Sequence, residues 1–254
     1  MKKIFPFALS LLSAGALSAA VTSASSANVI GALRVDSSEK QTVVAVPWVA
    51  SGLANGDIRV TDIVKTTTLA VGDQLFAYED GAYKCWVLDD SKVWQPSQVV
   101  KAGSFLPVAG VGAANKVLKR GCAVVLVRTK PTSPGYFFVL GQVSSASSNV
   151  VQTLPASEAS LLAPPSAVAT DLNDSSAVVW GLGSGDHADD RVIFKNASGA
   201  MCTAKRKDGA WKLFDTAKRQ WTTDGVVIPA GQGAWYQNRS AEAVTVTWKN
   251  APHS

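Results

Sequence analysis

Two stretches decide the fold. One is Asp80-Gly-Ala-Tyr-Lys-Cys-Trp86, followed by Lys92 and Trp94. The other is Asp208-Gly-Ala-Trp-Lys-Leu-Phe214, followed by Lys218 and Trp221. Both read D-G-A-aromatic-K-x-aromatic, then a turn, then a Lys and a Trp. Asp-Gly between apolar segments is a hairpin signal, because glycine accepts the positive φ of a two-residue turn. The same pattern met twice in one chain points to an internal duplication.

Further landmarks recur in the same order. Thr42-Val-Val-Ala-Val-Pro47 is echoed by Asn149-Val-Val-Gln-Thr-Leu-Pro155, and Thr61-Asp-Ile63 by Thr170-Asp-Leu172. Gly72-Asp73-Gln-Leu-Phe76 pairs with Asp189-Asp190-Arg-Val-Ile193, and Val117-Leu-Lys-Arg-Gly121 with Val227-Ile-Pro-Ala-Gly231. Each copy then runs through an apolar strand, 123–127 or 234–237, to a final strand, 136–140 or 243–248. Short β-branched runs with turn signals between them predict an all-β chain with little helix, built as two divergent tandem repeats that form small sandwich or barrel-like domains. Residues 42–143 make repeat A, 144–148 a linker and 149–254 repeat B. Residues 21–41 are a Ser/Ala-rich spacer with a first strand at 29–35. The Gly/Ala-rich segment 101–115 reads as a loop or arm peculiar to repeat A, and one or two helical turns are expected at 57–65 and 156–163.

The N-terminus has the composition of an export signal. Met1-Lys-Lys3 is positive, Ile4 to Leu12 is apolar, and small residues lead to Ser18-Ala-Ala20, so 1–20 is read as a cleaved signal peptide. The apolar run is too short for a bilayer span, which needs about 20 residues, and no transmembrane segment follows. The protein is expected in the periplasm, on the outer surface or secreted. The formal charge is +5, two of it from Lys2 and Lys3. A charge so small and spread out argues against a nucleic acid partner. The three cysteines, Cys85, Cys122 and Cys202, leave two readings open: a Cys85–Cys122 disulfide, or three unpaired thiols acting as small apolar side chains.

The pattern resembles a group of secreted, two-repeat, β-rich envelope proteins of Gram-negative bacteria that carry no assigned activity. The resemblance lies in the G-D-x-[LVI] strand start, the D-G hairpin ending in Trp and the tail Gly231-Gln-Gly-Ala-Trp-Tyr-Gln-Asn-Arg239. Repeat A departs at its tail, where Gly121-Cys-Ala-Val-Val stands. These are strand and turn elements, so the likeness implies an architecture and no catalytic residues.

Motifs for chemistry are thin. A serine nucleophile elbow needs G-x-S-x-G, which Gly183-Ser184-Gly185 does not supply, and a triad would depend on His187. Gly181-Leu-Gly-Ser-Gly185 runs into Asp186, whose carboxylate would repel a phosphate. Spacing suited to zinc is absent. Asp186, His187, Asp189 and Asp190 form an oxygen-rich loop of the kind that holds Ca²⁺, although turns favour such residues without a metal. No catalytic residue, metal site or cofactor is assigned. The remaining lead is aromatic and basic: Trp211, Lys212, Trp221, Lys218, Arg219 and Arg239 are candidates to hold a ligand, since flat rings stack on sugars and cations meet acidic groups. Against this, Trp94, Trp211 and Trp221 are also core candidates. The chain is therefore read as a non-enzymatic binding module for a glycan or an envelope protein. The alternative is a structural or assembly subunit of a surface layer, fibre or complex, a homo-oligomer among the options. A hydrolase ranks last.

Overall fold

The computed structural model describes residues 30–36, 40–45, 58–59, 69–79, 82–101, 104–108, 117–118, 121–130, 136–142, 149–184 and 187–249. Among these residues all regular structure is strand, and no helix is long and apolar enough to cross a membrane. The first half holds β1 (Ile30–Asp36), β2 (Gln41–Ala45), β3 (Ile58–Arg59), β4 (Gln74–Glu79), β5 (Ala82–Leu88), β6 (Trp94–Lys101), β7 (Ser104–Pro107), β8 (Val117–Leu118), β9 (Ala123–Val127) and β10 (Tyr136–Gln142). The second holds β11 (Val150–Leu154), β12 (Ala159–Leu162), β13 (Thr170–Asp171), β14 (Val178–Gly181), β15 (Arg191–Lys195), β16 (Met201–Lys207), β17 (Ala210–Asp215), β18 (Gln220–Thr222), β19 (Val227–Ile228), β20 (Ala234–Gln237) and β21 (Val244–Trp248).

Each half carries a six-stranded antiparallel sheet. Their orders are β2-β9-β4-β5-β6-β7 and β12-β20-β15-β16-β17-β18. Each has a two-stranded companion, β3-β8 or β13-β19, and a covering sheet, β1-β10 or β11-β21-β14. The two orders are the same list of strands, with β14 added in the second half. Registers superpose as well. Gln74 faces Val127 and Val87, as Arg191 faces Gln237 and Lys205. Val87 then faces Gln95, as Lys205 faces Lys212. By this register Trp94 corresponds to Trp211, and both indoles are buried against the inner face.

A buried aspartate starts β4 and β15 alike. Asp73 Oδ1 accepts the Thr129 backbone N–H at 2.8 Å, and Asp190 Oδ1 accepts that of Arg239 at 2.7 Å. Thr129 and Arg239 both lie two residues past the neighbouring strand, so each carboxylate ties down the same chain exit. Their second oxygens are served differently. Asp73 Oδ2 takes the Ala70 N–H and the Arg128 guanidinium, each within 3 Å. Asp190 Oδ2 lies 2.7 Å from His187 Nδ1 and accepts the Tyr236 hydroxyl at 2.5 Å. A buried carboxylate without such partners would be strongly unfavourable. Gly121 and Gly231 also correspond, each in the left-handed region at φ +83° and +69°.

Within the second half, inner residues of the six-stranded sheet (Val192, Phe194, Trp211, Tyr236) pack on those of the covering sheet (Val178, Val246, Trp248), a sandwich core. The first half has its own core around Leu75, Trp86, Trp94 and Leu126. A third cluster joins the halves: Ala45, Ala123 and Val125 meet Leu161 and Ala163, with Phe76 and Trp235 against them. Backbone pairing crosses the same seam. Ala45 N–H donates to Gly231 at 3.0 Å and Gly233 N–H to Val43 at 2.9 Å. A side chain at Gly233 would collide with Val43 and the Leu162 carbonyl, at 2.7 and 2.9 Å from its Cβ. Glycine there is what lets the sheets touch.

Several expectations need correction. The two Asp-Gly turns are not equivalent. Asp208 and Gly209, at φ +52° and +78°, join β16 to β17, the second hairpin of their sheet. Asp80 and Gly81 lie outside the described residues, between Glu79 and Ala82, which pair across the first hairpin. The D-G-A match is thus one hairpin out of step, because Asp-Gly reports a tight turn and not which one. Thr42–Pro47 and Asn149–Pro155 are out of step too, since β2 corresponds to β12 and β1 to β11. The expected helical turns at 156–163 are a turn leading into β12. Leu161 faces the other half and Leu162 its own core, so the strand lacks polar alternation. Of 57–65 only β3 is described. Within 101–115, Ser104–Pro107 is the edge strand β7 rather than loop. Thr61–Ile63 and the signal segment lie outside the described residues.

Candidate ligand-binding face

The outward face of β16, β17 and β18, with the β17–β18 turn, gathers Lys212, Lys218, Arg219 and Trp221 of the candidate residues. Alternation sets it: Trp211 points into the core, so Lys212 points out, and its partner Lys205 with it. Phe214 faces out opposite Trp221, their rings 5.4 Å apart and edge to face. Lys207 extends from β16 to place Nζ 4.8 Å from the centre of the Trp221 ring, a cation–π contact. Phe214 is 48% exposed and Trp221 half-buried, so together they form an open aromatic ledge.

The surrounding turns are held by hydrogen bonds and ion pairs. Lys212 Nζ donates to Asp208 at 2.8 Å, and this bond, then the lysine's charge, holds the Asp208 carboxyl below the usual range. Asp215 Oδ1 accepts the N–H groups of Ala217 and Lys218 at 2.9 and 3.0 Å. These contacts also hold the Asp215 carboxyl low, the Lys218 backbone bond first. Lys218 Nζ stands 3.6 Å from it, and exposed Arg219 takes the left-handed conformation at φ +51°. Arg239 is exposed past the end of β20, fixed through its backbone to Asp190 beside Arg191.

Trp211 is the exception among the predicted residues. Its ring is fully buried, with Trp180 at 5.0 Å and Tyr236 at 6.0 Å. It offers no face to a ligand, so that assignment is corrected: Trp211 is core. Trp221, Lys212, Lys218 and Arg219 lie on the β17–β18 side, while Arg239 stands apart beyond β20. Four further residues of this face, Arg191, Lys205, Lys207 and Phe214, are not among the six sequence candidates. Phe214 was legible as the partner of Trp221 across a short turn. Arg191 was not, since only the β15–β16 register puts it opposite Lys205.

Toward the first half the same face meets the seam. A cleft of about 180 Å³ opens there, lined by Gln41, Val43, Ile193, Lys195, Met201 and Trp235.

The histidine and acid candidates are structural in their surroundings. His187 is buried beside Asp190, and its Nε2 is enclosed without a hydrogen-bond partner among the described residues. Burial first, and then the bond to Asp190, pushes the Tyr236 phenol up. Asp171 Oδ1 and Asp174 Oδ1 accept N–H groups of their own turns, from Asn173 at 2.9 Å and Ser176 at 2.8 Å. Among the described residues no group of three or more His, Cys, Asp or Glu is placed to hold a metal, and Asp186 lies outside them. No disulfide joins the three cysteines. Burial lifts the Cys85 thiol to about 11.

No family model, curated protein or solved structure matches this chain.

Proposed function

We propose that this is an exported, non-catalytic binding module of a Gram-negative cell envelope or surface, with a glycan as ligand. Its two halves descend from one duplicated unit and have diverged. The carrying observation is the ledge of Phe214 and Trp221 with Lys207 over the Trp221 ring, exposed at the β17–β18 end of the sheet. Phe214 keeps much of its apolar surface exposed beside Trp221, and a sugar ring's C–H face complements such a surface. Hydrogen bonds in the flanking turns favour a ledge formed before a ligand arrives, which lowers the ordering cost of binding. An array of neutral, sialylated and sulfated glycans tests this, with a Trp221→Ala/Phe214→Ala variant of matched near-UV circular dichroism alongside. Binding that the variant loses supports the module, and a folded parent that binds no glycan defeats it.

An assembly role is the second reading, favoured by the edge strands β7 and β18 that end the two six-stranded sheets among the described residues. Edge strands pair readily with other chains. Sedimentation as a monodisperse monomer across a concentration series removes this reading.

A further inference from the structure

Arg191, Lys205 and Lys212 stand directly opposite one another on β15, β16 and β17. Neighbouring strands are about 4.8 Å apart, so the backbone positions of three basic residues stand in a close, regular row, a basic ladder. Like charges placed directly opposite in a sheet repel and destabilise it. Lys207, one outward step along β16, adds a fourth positive group. The outward positions of β15, β16 and β17 carry no carboxylate. Asp208, in the turn, touches only Lys212 among the ladder residues. The fold does not require such a ladder, because the corresponding residues of the first half are Gln74, Val87 and Gln95, all neutral.

We propose that the ladder seats a linear acidic polysaccharide, running across the strands so that successive sulfate or carboxylate groups meet successive cations. This rests on the glycan-binding reading above and names the class of glycan. The aromatic ledge then takes one sugar ring at the end of the ladder. A single ledge, on β17 and β18, distinguishes this surface from a single-stranded nucleic acid site, where bases stack on a succession of aromatic rings along the strand. Charge complementarity supplies the attraction, and lysine and arginine heads bind acidic groups through charge-assisted hydrogen bonds.

The test measures binding of the full chain to heparin, alginate, neutral dextran, single-stranded DNA and anionic phospholipid vesicles over a series of salt concentrations. Heparin or alginate is expected to bind, with affinity falling as salt rises. Lys205→Gln/Lys212→Gln should weaken that binding roughly tenfold or more and lower the log–log salt slope by about two. A charge-matched control, Lys84→Gln/Lys249→Gln, lies off this face and should bind as the parent does. Near-UV circular dichroism confirms the fold of each variant. Unchanged binding by the ladder variant, or equal loss in the control, overturns the proposal, as does tighter binding to DNA or vesicles. Salt-independent dextran binding that Trp221→Ala abolishes would overturn the acidic ligand while leaving the glycan module standing. No binding to any polysaccharide defeats both.

Discussion

The outer faces of the two six-stranded sheets part company where their inner faces agree. Inside, Trp94 and Trp211 fill the same position, and Asp73 and Asp190 anchor the same chain exit. Outside, Gln74, Val87 and Gln95 stand where the second half has Arg191, Lys205 and Lys212. A sandwich core tolerates little change, because its interior is close-packed and its polar groups need partners. The open face has no such constraint, and there the halves differ in charge and not in architecture.

The largest expected effect attacks the shared interior. Trp94→Ala and Trp211→Ala should each destabilise the protein by about 3–5 kcal/mol through the cavity left behind. Urea unfolding followed by circular dichroism reads this, and a near-neutral result for one of them would break the equivalence. Next come the buried aspartates. Asp73→Ala removes the carboxylate beside the buried Arg128 guanidinium, at about 3–5 kcal/mol, while Asp190→Ala removes the acceptor beside the His187 ring and the Tyr236 hydroxyl, at about 1–3 kcal/mol. The first variant should therefore unfold at the lower urea concentration.

The cysteines give a smaller, pH-dependent contrast. In the fold the Cys85 thiol is lifted from 9.0 to about 11 by burial. Its neutral form is the one favoured, so this contribution is full below pH 9 and fades as pH rises toward 11. Cys85→Ala should flatten the fall in stability across that window. Cys202 is also pushed up by burial, its bond from Asn196 opposing, but it is half-buried and should react before Cys85 with a thiol reagent at pH 8. The smallest effect is a gain. Gln95→Lys in the first half should leave stability within about 0.5 kcal/mol, being an exposed substitution. It should add no heparin affinity, because one cation is not a ladder.

How much of this was legible depends on the residue. The all-β class came from β-branched runs and turn signals, which depend only on local chemistry. Gly72-Asp73 with Asp189-Asp190, and Gly121 with Gly231, were matched in the correct register, because a buried anchor and a positive φ each restrict the residue type. The Asp-Gly pair misled, since any tight hairpin accepts it. Trp211 misled for another reason. Lysines beside a tryptophan read as a basic–aromatic surface, yet in a strand consecutive residues face opposite ways. Arg191 joins the candidate face only through pairing across β15 and β16, and long-range register leaves no local trace. The seam at Gly233 was equally silent in the sequence, because a glycine between two strands announces a turn as readily as a contact.

That seam has a consequence for a divided chain. β2 pairs with β9 through one set of backbone groups and turns others toward 231–233, so each half completes the other's hydrogen bonding. Cut between residues 143 and 149, the two pieces would each present an apolar patch and unmet backbone donors shaped for the other. Mixed together, they should behave as a complementing pair. Each would act as the other's template, and a reporter split between them would report reassembly.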